Sequence, residues 1–292
     1  MTAQWFWPII ASAISLGFYD IAKKRALRDN PVMPVLFFAT LSGTIFFCTG
    51  TLAAGTWYSS FVTGWRNWYL VMIKSCIVAS SWVCVYYAMR ELPITLASPL
   101  RASSPLWTCF GGILLFHEIP TFRGTAGMIA VFAGYYVFSV AGKLEGFTFR
   151  HKGVKLLLLG TLLGAASALY DKFLLNIMGV PRQMMQLHFS LDLVLILGLA
   201  WAIRSMISPS KHKFRWHWTI PLTGILLIAA DYLYFYALSM PEVKISVLSL
   251  IRRSNCIVTF AVGGWWIFKD KNLIPKAVAM AFIIVGLFLL SR

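Results

Sequence analysis

Six ionisable residues stand deep inside apolar stretches of this 292-residue chain: Lys74, Arg101, Asp192, Asp231, Arg252 and Arg253. Each falls about 8 to 16 residues into a stretch long enough to cross a bilayer, which at 1.5 Å per residue is near mid-depth. A charge held there costs roughly 2.5–3.5 kcal/mol on insertion scales, so the set requires partners, water or a ligand. Pairs such as Arg101 with Asp231 and Lys74 with Asp192 would hold helices together, yet the two aspartates cannot neutralise all the cations. Adjacent arginines point about 100° apart on a helix, so one of Arg252 and Arg253 can pair structurally while the other faces a cavity. A guanidinium fork grips carboxylate or phosphate bidentately, and an ammonium supplies a point charge. These residue types point to recognition of a small anion, with Lys74, Arg101, Asp231, Arg252 and Arg253 as candidate site residues.

Other residues qualify less directly. His188 and Asp192 lie one turn apart, which suits either a proton relay coupled to transport or a plain buried hydrogen bond. Tyr87 and Tyr236, with Tyr86, Tyr232 and Tyr234, could line a pocket, although tyrosines near helix ends are usually interfacial. Asp20 and Asp171 read as residues near helix ends that snorkel and bridge to Lys23, Lys24 or Lys172. Glu118 and Asp270 read as tethers of short loops. The cysteines (Cys48, Cys76, Cys84, Cys109 and Cys256) lie in apolar segments without CxxC spacing and read as packing residues. Walker A, GxSxG, HExxH and Cys/His metal spacings are lacking, so neither an enzyme nor a metal or other cofactor is expected.

The elements that must carry these residues follow from composition. Hydrophobic residues make up 59% of the chain and charged residues 12%, about half the charge of a soluble domain. The expectation is an all-α membrane protein of ten transmembrane helices, near residues 4–22, 32–54, 67–89, 94–116, 122–141, 154–177, 184–203, 217–239, 244–268 and 273–291. Connections are short and marked by Pro31, Pro93, Pro120, Pro181 and Pro241, so consecutive helices should run antiparallel. Trp5, Trp7, Trp57, Trp65, Trp68, Trp216 and Trp218 fall near helix ends, as an interfacial belt requires. The first apolar segment lacks a basic n-region and an A-x-A site and reads as a retained helix.

The net charge of +16 would suggest nucleic acid in a soluble protein. Here the basic residues gather in short loops, as in Lys23 to Arg28 or Lys211 to Arg215, where they set orientation and meet anionic lipid. Nucleic acid is therefore not an expected partner. The loops after helices 1, 3, 5, 7 and 9 hold the large excess of Lys and Arg, which by itself puts both termini outside the cytoplasm.

The halves resemble each other at an offset of about 151 residues by alignment of like motifs. Phe18-Tyr19-Asp20 matches Leu169-Tyr170-Asp171, and Tyr86-Tyr87-Ala88-Met89 matches Phe235-Tyr236-Ala237-Leu238. Phe110-Gly111-Gly112-Ile113 with Glu118 matches Val262-Gly263-Gly264-Trp265 with Asp270, and Arg101 falls opposite Arg253. Five helices per half is an odd number, so residues 1–146 and 147–292 are expected as two inverted five-helix repeats around a central cavity.

The stretch YYAMRELPITLASPLRASSPLWTCFGG with its sequel, and YFYALSMPEVKISVLSLIRRSNCIVTFAVGG with its own, resemble the ten-helix EamA-like members of the drug/metabolite transporter superfamily. The resemblance is strongest over helices 3 to 5 and 8 to 10. It implies a cavity lined chiefly by helices 1, 3, 4, 6, 8 and 9, and a secondary transporter working by alternating access. It also implies termini in the cytoplasm, which disagrees with the loop charges. LSLIRRSNCIV further resembles the basic pair of the phosphate-translocating branch, which implies phosphate contacts for Arg252 and Arg253, with Arg101 in place of a fourth-helix cation. The expected substrate is a small polar metabolite, an organic anion or a phosphorylated one. An amino-acid or drug exporter with structural arginines, a lipid flippase and a lipid-modifying membrane enzyme are the alternatives. Membrane lipids are the other expected partners, the chain is expected as monomer or homodimer, and the expected location is a bacterial inner (plasma) membrane.

Overall fold

The computed structural model describes residues 4–28, 30–61, 64–92, 97, 101, 104–143, 151–207, 213–254 and 273–290. Every regular element among them is helical. In the first half these are α1 (Phe6–Leu27), α2 (Val32–Ala53), the short α3 (Trp57–Phe61), α4 (Trp65–Glu91), α5 (Ser104–Phe116) and α6 (Phe122–Lys143). In the second half they are α7 (Lys152–Lys172), continued by a π turn over Phe173–Ile177, then α8 (Arg182–Ile207), α9 (Thr219–Leu238), α10 (Ile245–Arg253) and α11 (Leu273–Leu290). The expected ninth span is described only through Arg253 and Ser254, and Cys256, Gly263, Gly264, Trp265 and Asp270 lie outside the described residues. Short α3, with Trp57 stacked on Phe61 at 5.6 Å, is an element the hydropathy reading did not separate.

The distribution of side chains is that of a membrane protein. Five described helices, α2, α4, α7 with its π turn, α8 and α9, are long and apolar enough to cross a bilayer. Phe46, Phe110, Leu195, Leu199 and Phe288 point outward and are about half exposed or more, while Lys23, Lys74, Asp171 and Asp192 are buried. Water would favour the reverse; lipid favours this one, because exposed apolar groups lose nothing in hydrocarbon while charges find partners only inside.

One boundary differs in a way that matters. The first helix was expected to stop near residue 22 and leave Lys23, Lys24 and Arg25 in a loop, but α1 continues through Leu27. Lys23 is fully buried at 0% exposure. Asp20 one turn earlier and the rings of Tyr19 and Tyr86 accept its ammonium, and those partners remove the reason for the chain to leave the membrane there.

The packing pairs form a pattern that exchange of the halves leaves unchanged. Helix α1 packs on α9 as α7 packs on α4, and α2 packs on α9 as α8 packs on α4. The pairs α2 with α8, α5 with α10 and α6 with α11 each map onto themselves. The closest approach is between α2 and α9, where a Cβ on Gly224 would stand 1.8 Å from the Ala39 carbonyl oxygen and one on Gly43 2.6 Å from that of Gly224. Small residues let backbones meet this way in membranes. Gly224→Val is expected to cost about 1–3 kcal/mol through overpacking, read as an earlier unfolding transition in detergent, whereas Gly50→Val, with open space around it, should leave the transition in place.

Candidate functional site

A central cavity of about 140 Å³ lies among α1, α4, α5, α7, α8, α9 and α10, with Arg101 in its wall. Three charge clusters border it. In the first, Asp20 Oδ1 accepts from Lys23 Nζ at 2.6 Å and from Arg101 Nη1 at 3.1 Å. The Lys23 ammonium lies 4.2 Å from the centre of the Tyr19 ring, and the Tyr19 and Tyr86 hydroxyls stand 3.3 Å apart. In the second, Lys74 of α4 pairs with Asp171 of α7, its ammonium between the rings of Phe189 at 4.3 Å and Phe235 at 4.4 Å. In the third, Arg252 of α10 pairs with Asp231 of α9 and stacks over Tyr234 at 4.0 Å.

These contacts revise the pairing expected from sequence. Arg101 pairs with Asp20, not Asp231, and Lys74 pairs with Asp171, not Asp192. The reason is depth: α1 runs further than hydropathy suggested and α7 continues through its π turn to Ile177, so Asp20 and Asp171 sit in the cavity wall or against it and do not snorkel. Of their expected bridges, Asp20 to Lys23 forms, while Lys172 pairs with Glu118. Lys23, Lys74, Arg101, Arg252 and Arg253 therefore face Asp20, Asp171 and Asp231, an excess of two positive charges. Two polar atoms in this wall have no hydrogen-bond partner among the described residues: the Tyr234 hydroxyl and Nε of Arg252.

Tyr87 and Tyr236 do not line the cavity. Tyr87 lies against Arg204 at 5.3 Å and Tyr236 against Arg182 at 4.5 Å, while their neighbours Tyr86 and Tyr234 turn inward. His188 and Asp192 also lie outside it, on the face of α8 toward α3 and α4. The residues that sequence reasoning set aside, Asp20, Lys23 and Asp171, carried one signal: the Tyr-Asp pair recurs in both halves, at a place where a merely interfacial acid has no reason to be duplicated.

Glu118 is a tether, as expected. His117, with φ +51, turns the chain after α5 so that the Glu118 carboxylate reaches the start of α10. It accepts from the backbone N–H groups of Ile245 at 2.9 Å and Ser246 at 3.3 Å and from the Ser246 hydroxyl at 3.1 Å, and it pairs with Lys172. A carboxylate at a helix N-terminus is stabilised by the unpaired N–H groups and the dipole. Lys172 also donates to the Val243 carbonyl at 3.0 Å, so α5, α7 and α10 are joined at one end of the cavity wall. Glu118→Gln keeps the shape and removes the charge; a loss of about 1–2 kcal/mol in thermal unfolding is expected.

The comparisons fit this arrangement. Residues 4–140 match the EamA-like transporter family. That stretch is similar to an EamA-like transporter unit. With five described helices long and apolar enough to cross a bilayer, the protein is an integral membrane protein whose first half is similar to a transporter family. A solved structure described only as the crystal structure of a protein superposes with a TM-score of 0.78 at 15% identity, covering 99% of this chain and 96% of its own. At that identity the likeness establishes the fold alone, over both halves. Comparison with curated proteins gave no match. The cavity-lining helices α1, α4, α5, α7, α9 and α10 correspond to the first, third, fourth, sixth, eighth and ninth spans, the set the EamA-like resemblance implied; α8 adds Phe189.

Proposed function

We propose that this EamA-like protein is a secondary transporter that moves a small organic anion, carboxylate or phosphate, by alternating access. Residues 1–146 and 147–292 act as its two inverted repeats. The observation that carries the reading is the cavity wall, at which, among the described residues, five cations meet three carboxylates and Arg252 Nε and the Tyr234 hydroxyl lack hydrogen-bond partners. A buried excess of positive charge is costly unless an anion completes it, and a guanidinium edge beside a hydroxyl presents donors suited to a carboxylate or phosphoryl oxygen. The packing pattern supports alternating access, because a site between interchangeable halves is exposed to either face by exchanging their conformations.

A second reading is favoured by the same ion pairs. Since Arg101 and Arg252 are already bound to Asp20 and Asp231, the arginines can be structural and the solute an amino acid or other zwitterion. Thermal unfolding of the purified protein against organic acids, phosphorylated sugars, amino acids and nucleotide sugars separates the two. A ligand at 100 times its Kd should add about 2.7 kcal/mol of stability. Stabilisation by anions alone supports the first reading; stabilisation by zwitterions alone overturns it.

A further inference from the structure

We infer that Asp192 is a proton-binding site and that α4 links it to the cavity. Asp192 is 2% exposed and eleven residues into the 26-residue α8, about 16 Å from that helix's start. Asp20, Asp171, Asp231 and Glu118 each have a lysine or arginine within ion-pair distance, and Asp192 has neither a basic side chain nor His188 at that distance among the described residues. Its neighbours are neutral groups, the Ser75 hydroxyl at 3.3 Å and the Trp68 indole.

The shorter contact of Ser75, to the Val71 carbonyl, favours a proton on Asp192. Ser75 Oγ lies 2.9 Å from the Val71 carbonyl and 3.3 Å from Asp192 Oδ2. A hydroxyl has one proton, so Ser75 cannot donate to both. If Ser75 donates to Val71, the remaining contact is a hydrogen bond only when the proton sits on Asp192 and the Ser75 oxygen accepts it. Protonation thereby satisfies every group at the site and removes an uncompensated charge from mid-membrane.

His188 connects this site to the edge of the fold. Its Nε2 lies 2.9 Å from the Phe61 carbonyl, which as an acceptor fixes the proton on Nε2. Its ring stacks on Phe61 of α3, beside the exposed Tyr58, and Asp192 follows one helical turn later. The other ionisable groups toward α8 are engaged or distant in kind: Lys74 on α4 pairs with Asp171, Asp231 on α9 pairs with Arg252, and Cys48 of α2 and Tyr232 of α9 pack against the Leu187 cluster.

The link to the cavity is geometric. Lys74 and Ser75 are consecutive in α4 and point about 100° apart, so one enters the cavity while the other meets Asp192. On α8, Phe189 receives the Lys74 ammonium and Asp192, three residues on, meets Ser75. A movement of α4 that empties or fills the cavity therefore also makes or breaks the proton site. Use of the proton to drive transport rests on the transporter reading; the existence of the site does not.

Infrared pH titration of the full chain in lipid vesicles, without added solute, tests it. A protonated-carboxyl band that grows on acidification is expected in the wild type and should be lost in Asp192→Asn, with helical content unchanged. Ser75→Ala, which removes the acceptor, should move the midpoint of that band to lower pH by about one unit, a tenfold loss of proton affinity. A band that persists in Asp192→Asn, or a midpoint that rises in Ser75→Ala, overturns the inference. Failure of the anion panel with this band intact would sink the anion reading alone.

Discussion

Lys74→Met is expected to destabilise the protein by about 3–5 kcal/mol, because it leaves Asp171 charged, 4% exposed and unpaired inside the bundle. The ammonium is held on three sides, by the Asp171 carboxylate and by the faces of Phe189 and Phe235, so α4, α7, α8 and α9 all lose a contact at once. Methionine fills much of the same volume, which confines the loss to charge. The double variant Lys74→Met with Asp171→Leu should regain most of that stability, since removing both members of a buried pair also removes their desolvation cost. Unfolding in detergent, followed by helix content, gives all three values. A single-variant loss below about 1 kcal/mol would mean that the pair is wet in the resting protein.

That pair also shows what could be read from the residues and what could not. Hydropathy placed nearly every helix, because in lipid the length and apolarity of a segment are themselves the folding constraint. The same signal is blind to depth. It ended the first helix at the Lys23 cluster, since a scale that charges a fixed cost for lysine does not count the Asp20 carboxylate and the tyrosine rings waiting for it. Cations at Lys74, Arg101 and Arg252 were legible from their positions, but the partners were not. Pairing is decided by which helices touch, and α4 touches α7 through a relation between halves that no local window contains. Tyr87 and Tyr236 illustrate the finer limit: each differs by about 100° in direction from its adjacent cavity-lining residue, Tyr86 and Phe235, and one residue of rotation decides between cavity and rim.

Arg252→Lys should weaken anion binding by about 10- to 150-fold if Arg252 holds the solute, the value of one charge-assisted hydrogen bond at about 1.5–3 kcal/mol. Lysine keeps the charge and can keep the pair with Asp231, but it has no Nε edge to offer beside the Tyr234 hydroxyl. Tyr234→Phe should then cost less, because the ring that stacks under the guanidinium remains and only a neutral hydroxyl is lost. Asp231→Asn carries the opposite sign. With its carboxylate neutral, Arg252 is released from its present partner, and an anion no longer has to compete for the fork, so affinity should rise. Isothermal titration of the reconstituted protein with the best anion from the panel reads all three. If Arg252→Lys binds as the wild type does and Asp231→Asn only lowers stability, the Arg252–Asp231 pair is a strut between α9 and α10, and the solute is held by the cluster around Arg101.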